Sequence, residues 1–113
     1  MGSEQRKNPR VIGYAKAVFM GTMTPGYIRD MSRTGCNIAF ILPVPVAMGD
    51  LIEIKVIAAH DPTLLPFQLY LRVRWVKGDP LWFSLGGEIE TVSNHEGGDF
   101  FERLVAYYEG KDS

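Results

Sequence analysis

The sequence predicts a mainly β protein, a six-stranded antiparallel β-barrel with a C-terminal α-helix. Two observations carry that expectation. Six segments between Val11 and Glu90 are rich in β-branched and aromatic residues, several with period-two alternation, and are parted by turns bearing Gly, Pro, Asp or Ser. Beyond Asp99 the spacing turns helical, with Phe100, Leu104, Tyr107 and Tyr108 at i, i+4, i+7 and i+8. No helix-spaced segment falls between the strands, which argues for an antiparallel barrel closed by the helix.

Residues 1–10 are polar and basic, without apolar periodicity, and read as an arm. Val11–Met20 (VIGYAKAVFM) reads as the first strand and Gly21–Gly26 as a turn. Tyr27–Met31 is the second strand, and Ser32–Gly35 turns the chain into a third, Cys36–Leu42, with Cys36, Ile38, Phe40 and Leu42 on one face. Pro43 and Pro45 end it, because proline cannot donate to a ladder. Gly49-Asp50 leads into Leu51–Ala59, where Ile52, Ile54, Val56 and Ala58 alternate with polar residues. After a loop from His60 to Pro66, PFQLYLRVRWVK directs Phe67, Leu69, Leu71, Val73 and Trp75 inward and Gln68, Tyr70, Arg72 and Arg74 outward. A turn over Lys77–Pro80 precedes the sixth strand, Leu81–Glu90, whose Gly86-Gly87 pair marks a bulge or a close backbone approach. Asn94 is a candidate N-cap, and Gly110 stops the helix. The expected organisation is one domain over 1–113: arm 1–10, barrel 11–95, helix 96–110.

The 113 residues fit a single domain with a core of its own. Hydrophobic residues make up 46% and charged residues 22%, which argues against disorder. Twelve Lys and Arg against thirteen Asp and Glu leave a net charge of -1, so any anion site must be a local cluster. The single Cys36 excludes an internal disulfide and fits a reducing compartment. No apolar stretch is long enough to span a membrane, and the charged start makes a poor signal peptide; the expected location is cytoplasmic.

Residues for catalysis are thin. His60 and His95 fall in predicted loops without a HExxH or HxH spacing and read as solvated side chains, and Cys36 reads as a small buried hydrophobe. There is no CxxC, GxSxG or P-loop pattern. The expectation is a non-enzyme with no catalytic residue, no metal and no cofactor.

Two short patterns remain. Arg6-Lys7-Asn8-Pro9-Arg10 sets two arginines four apart, and their planar forks suit phosphate oxygens and the Hoogsteen edge of guanine. Taken alone, it is also what a solubilising basic tail looks like. Asp30-Met31-Ser32-Arg33-Thr34-Gly35 lies at a strand end and turn. There an ionised Asp30 can accept from the N1 and N2 donors of guanine, Ser32 can donate to a phosphate, and Gly35 permits a positive φ or a close backbone approach. An ordinary Asx or ST turn would carry the same residues.

In combination, and in this order, the two patterns resemble the PilZ domain, whose hallmark is an RxxxR segment before a six-stranded barrel and then a [D/N]xSxxG motif. The likeness runs from Gln5 to about Glu109, through the VRWV strand around Trp75, the SLGGEIE strand and the closing helix. It implies a bacterial receptor for cyclic di-GMP whose arm folds over a ligand lying on the outside of the barrel. Arg6 and Arg10 match the arginines that hold phosphate and guanine, Asp30 the guanine-binding carboxylate, and Ser32 and Gly35 the positions where the chain meets the nucleotide. Gln5, Lys7 and Arg33 form a second tier. Gln5 stands where many relatives carry a further arginine that favours a stacked ligand pair, which points to one ligand per chain. The implied partners are cyclic di-GMP and an unidentified protein, with the chain as monomer or homodimer and without a nucleic-acid polymer. Two rivals are an adaptor of the same fold that binds no nucleotide, and a nucleic-acid-binding barrel using Tyr70, Arg72 and Arg74, which the near-neutral charge disfavours.

Overall fold

The structure, a computed structural model, describes residues 14–58, 60–93 and 99–110. The expected arm with Gln5, Arg6, Lys7 and Arg10, the first three residues of the expected first strand, Asn94 and His95 lie outside the described residues.

Six strands and one helix follow in order: β1 Lys16–Phe19, β2 Thr24–Met31, β3 Gly35–Phe40, β4 Leu51–Ile57, β5 Phe67–Gly78, β6 Phe83–Ser93 and α1 Asp99–Tyr108. They close into a barrel in the order β1-β2-β3-β6-β5-β4, with every neighbouring pair antiparallel and β4 returning to β1. The predicted fold class is the one observed. Closure gives each of the described strands a partner on both sides and so leaves no open sheet edge among them.

Alternation, offset by one residue at a bulge in β2, puts Ile28 and Met31 of β2, Cys36, Ile38 and Phe40 of β3, Ile52, Ile54 and Val56 of β4, and Phe67, Leu69, Leu71 and Val73 of β5 inside. Full burial of a Leu, Ile or Phe is worth about 1.5–3 kcal/mol, and among the described residues none that is buried is polar or charged. The helix closes the barrel with Phe101, Leu104, Val105 and Tyr108, while Phe100 and Tyr107 are only partly buried. Its buried stripe is therefore turned from the expected one toward Phe101 and Val105. Tyr108 fastens the helix to the barrel: its hydroxyl donates to Ile28 O at 2.5 Å and accepts from Ala15 N at 2.8 Å.

Several boundaries move. β2 begins at Thr24, not Tyr27, because Thr24 and Pro25 pair with Phe19 and Val18 of β1. β3 stops at Phe40, where its pairing with both β2 and β6 ends; Ile41 and Leu42 are exposed, and Leu42 is not on the inner face. β6 starts at Phe83 and reaches Ser93, drawn on by pairing with Gln68 of β5. Trp75 is not inward. A register shift between Val73 and Trp75 takes up one extra residue, Arg74, and leaves Trp75 41% exposed. His60 is not a solvated loop residue either: its ring stacks on Tyr107 at 3.8 Å between centroids, and both ring nitrogens are buried without a hydrogen-bond partner among the described residues. Nearby, Arg103 bonds Asp61 and Thr63 at 2.9 Å each and ties that loop to α1.

Candidate functional site

The site begins with a bulge. In β2 the register shifts between Ile28 and Asp30, so that two consecutive residues, Arg29 and Asp30, both face out between buried Ile28 and Met31. Asp30 Oδ1 accepts from Met31 N at 3.0 Å, and Oδ2 has no bond among the described residues. The chain then turns. Ser32 N donates to Gly35 O at 2.9 Å, while Ser32 Oγ accepts from Thr34 N and Gly35 N, each at 3.3 Å. The serine hydroxyl thus organises the turn from within, the ST geometry the sequence allows. Gly35 is needed for close approach and not for a left-handed backbone: a Cβ there would lie 2.6 Å from Gly87 O on β6.

Asp30, Ser32 and Gly35 line one open cavity of about 360 Å³, with Thr34, Asn37, Arg74, Trp75 and Glu88 among its other walls. Sequence reading placed three of its motif residues together and missed Trp75 and Asn37. The bulge at Arg74 brings Trp75 out, and its indole lies over Gly86, where any β-carbon would collide with it and with Asn37 Oδ1. The signal was present as the Gly86-Gly87 pair, which marks space for a side chain from the neighbouring strand. Cys36 also borders the cavity but its side chain is buried, and burial together with the charge of Asp30 pushes its thiol up to about 12. It is a neutral packing residue.

Charge inside the cavity is arranged unevenly. Arg74 Nη2 is held by Glu88 at 2.6 Å, so the described lining carries two carboxylates against one guanidinium. Such a surface offers acceptors for the N–H edge of a base and little for a phosphate. Arg33, though inside the motif, does not line the cavity; its Nη2 pairs with Glu102 of α1 at 2.7 Å. Arg72 is likewise paired, with Glu90 at 2.9 Å, so Arg72 and Arg74 do not form a free cationic strand face. Among the described residues, no group of three or more His, Cys, Asp or Glu is placed to hold a metal ion. No helix among them is long and apolar enough to cross a membrane.

A family model for the PilZ domain matches residues 4–109. The chain belongs to the PilZ domain family. The match takes in RxxxR, the Asp30–Gly35 motif, the whole barrel and α1. No match was found among curated proteins or among solved structures. PilZ domains are in general cyclic di-GMP receptors, binding and adaptor modules as opposed to enzymes.

Proposed function

We propose that this PilZ domain is a cytoplasmic, non-catalytic cyclic di-GMP receptor that relays ligand occupancy to a protein partner through its N-terminal arm. One observation carries the reading: Asp30, Ser32 and Gly35 border a single cavity on the outer barrel wall, and Asp30 keeps one carboxylate oxygen unbonded there. A carboxylate matches the N1 and N2 donors of a guanine edge, and the exposed Trp75 ring beside it offers a surface for the base. The two carboxylates of the lining repel phosphate, so the two phosphates of the dinucleotide need cations from elsewhere. Arg6 and Arg10 supply them, with Gln5 and Lys7 beside them, and Arg33 joins only if it leaves Glu102. Gln5 brings no charge for a second stacked ligand, which favours one ligand per chain.

Calorimetry on the full chain with cyclic di-GMP, GTP and a single-stranded oligonucleotide tests this. Cyclic di-GMP alone should give saturable heat, with equivalence at one ligand per chain. Arg6→Ala and Arg10→Ala should each cost about 1.5–3 kcal/mol of binding, the range for hydrogen bonds to charged groups. No binding by the unmodified chain would leave the nucleotide-free adaptor as the better reading. Heat with the oligonucleotide alone would favour the nucleic-acid barrel.

A further inference from the structure

Across the outer face of β1, β2 and β3 run two adjoining grooves of about 170 and 260 Å³ that share Tyr27; Arg29 at the rim of the first also borders Asn37 and Trp75, which line the Asp30 cavity. The first is bounded by Tyr14, Arg29 and Trp82, the second by Lys16 and Ile41. Tyr14, Tyr27 and Ile41 are 45%, 40% and 66% exposed and give these grooves apolar walls. The arginine of this face is held differently from the other described arginines. Arg33, Arg72, Arg74 and Arg103 are each neutralised by a carboxylate. Arg29 lies instead over the Trp82 ring, 5.9 Å from its centroid, close enough to Asp79 to help hold that carboxyl below its usual range, and neither Arg29 nor Lys16 has an ion pair among the described residues. The bulge that turns Asp30 toward the nucleotide cavity also turns Arg29 toward this face.

We propose that this face is a docking surface for an acidic segment of a partner protein, one that inserts an apolar side chain at Tyr27 and sets carboxylates against Arg29 and Lys16. Tyrosine, tryptophan and arginine are the residues that anchor protein interfaces, the two aromatics because they offer large contact area with few rotors to freeze and arginine because its planar fork stacks and bonds carboxylates in pairs. Two unpaired cations flanking an apolar groove select an acidic strand or helix that carries one apolar anchor, and they repel a basic one. A nucleic acid fits less well, since aliphatic Ile41 and Pro25 occupy one end where successive bases would have to stack. The inference goes beyond the receptor reading and uses none of Asp30, Ser32 or Gly35.

The test selects a random phage-displayed peptide library on the immobilised full chain, then measures synthetic copies of the enriched peptides by fluorescence anisotropy. The expected consensus is an aromatic or leucine flanked by Asp or Glu, with affinity falling about tenfold in Arg29→Glu and in Lys16→Glu. Circular dichroism of both exposed-site variants should match the parent. Titration of Lys16→Glu with cyclic di-GMP reads the nucleotide site separately, so that failure of the receptor reading and failure of the docking face are told apart. A basic or absent consensus, or peptides indifferent to both charge reversals, overturns the proposal. Self-association of the chain that both reversals abolish overturns it too, by making a second copy the occupant, as does tighter binding of a labelled oligonucleotide to the same residues.

Discussion

Asp30 and Gly35 lie five residues apart, and each acts through what its position leaves open. Asp30 keeps Oδ2 free because the bulge at Arg29 turns the carboxylate out of the ladder while Met31 N occupies only Oδ1. In the receptor reading, Asp30→Asn replaces one acceptor with a donor that faces the guanine N–H groups. Affinity for cyclic di-GMP should fall and the preference over cyclic di-AMP should narrow. Calorimetry with both nucleotides measures this, and an equal loss for the two would assign Asp30 to positioning the arm. Gly35→Ala acts on the backbone. A methyl 2.6 Å from Gly87 O forces β3 and β6 apart at the rim of the cavity, at a cost of about 1–3 kcal/mol. Urea denaturation should show that loss, and an unchanged midpoint would mean that the two strands separate freely at this point.

The elements divide by how local their cause is. β4 was legible because Ile52, Ile54 and Val56 alternate without interruption, and all three are buried. In β5 the same rule held from Phe67 to Val73 and then failed at Trp75, because periodicity assumes one residue per register step and a bulge inserts another. That single slip hid the aromatic wall of the candidate site. The Ile28-Arg29-Asp30-Met31 run, apolar at both ends and polar between, carried the mark of the bulge in β2 in plain sight. The extra reach of β6 to Ser93 was not legible, since it depends on pairing with Gln68. Helix α1 was readable in position but not in rotation: what fixes its face is Tyr108, whose hydroxyl bonds two main-chain groups of the barrel some 80 and 93 residues earlier in the chain. Tyr108→Phe keeps the ring and strips both bonds, leaving Ala15 N and Ile28 O buried without a partner. The expected loss is about 1–3 kcal/mol of unfolding free energy, with the native circular dichroism retained. A change below about 0.5 kcal/mol, smaller than the usual net worth of one hydrogen bond, would show that those main-chain groups find other partners.

For the whole molecule, the same closed core that positions the site makes stability sensitive to alkali. Cys36 lies inside the barrel, and its thiol is raised from about 9 to about 12, by burial first and by the charge of Asp30 second. A raised acid binds its proton more tightly when folded, so between the two values the native chain holds a proton that the unfolded chain has released. Unfolding free energy then falls as pH climbs through that window, by roughly 1 kcal/mol per unit for such a group, and is almost undiminished well below pH 9. Tyr108 acts in the same direction at higher pH, raised by its burial against the opposing bond from Ala15 N. Comparison with Cys36→Ala isolates the thiol. The variant should lose a little stability at neutral pH through the missing sulfur contacts. From pH 9 to 11 its decline should be shallower than the parent's by roughly 1 kcal/mol per unit, as read from urea denaturation. Parallel declines in the two proteins would mean that the thiol titrates as freely in the native state as in the unfolded one, and that the barrel wall between Cys36 and solvent opens on the timescale of the measurement.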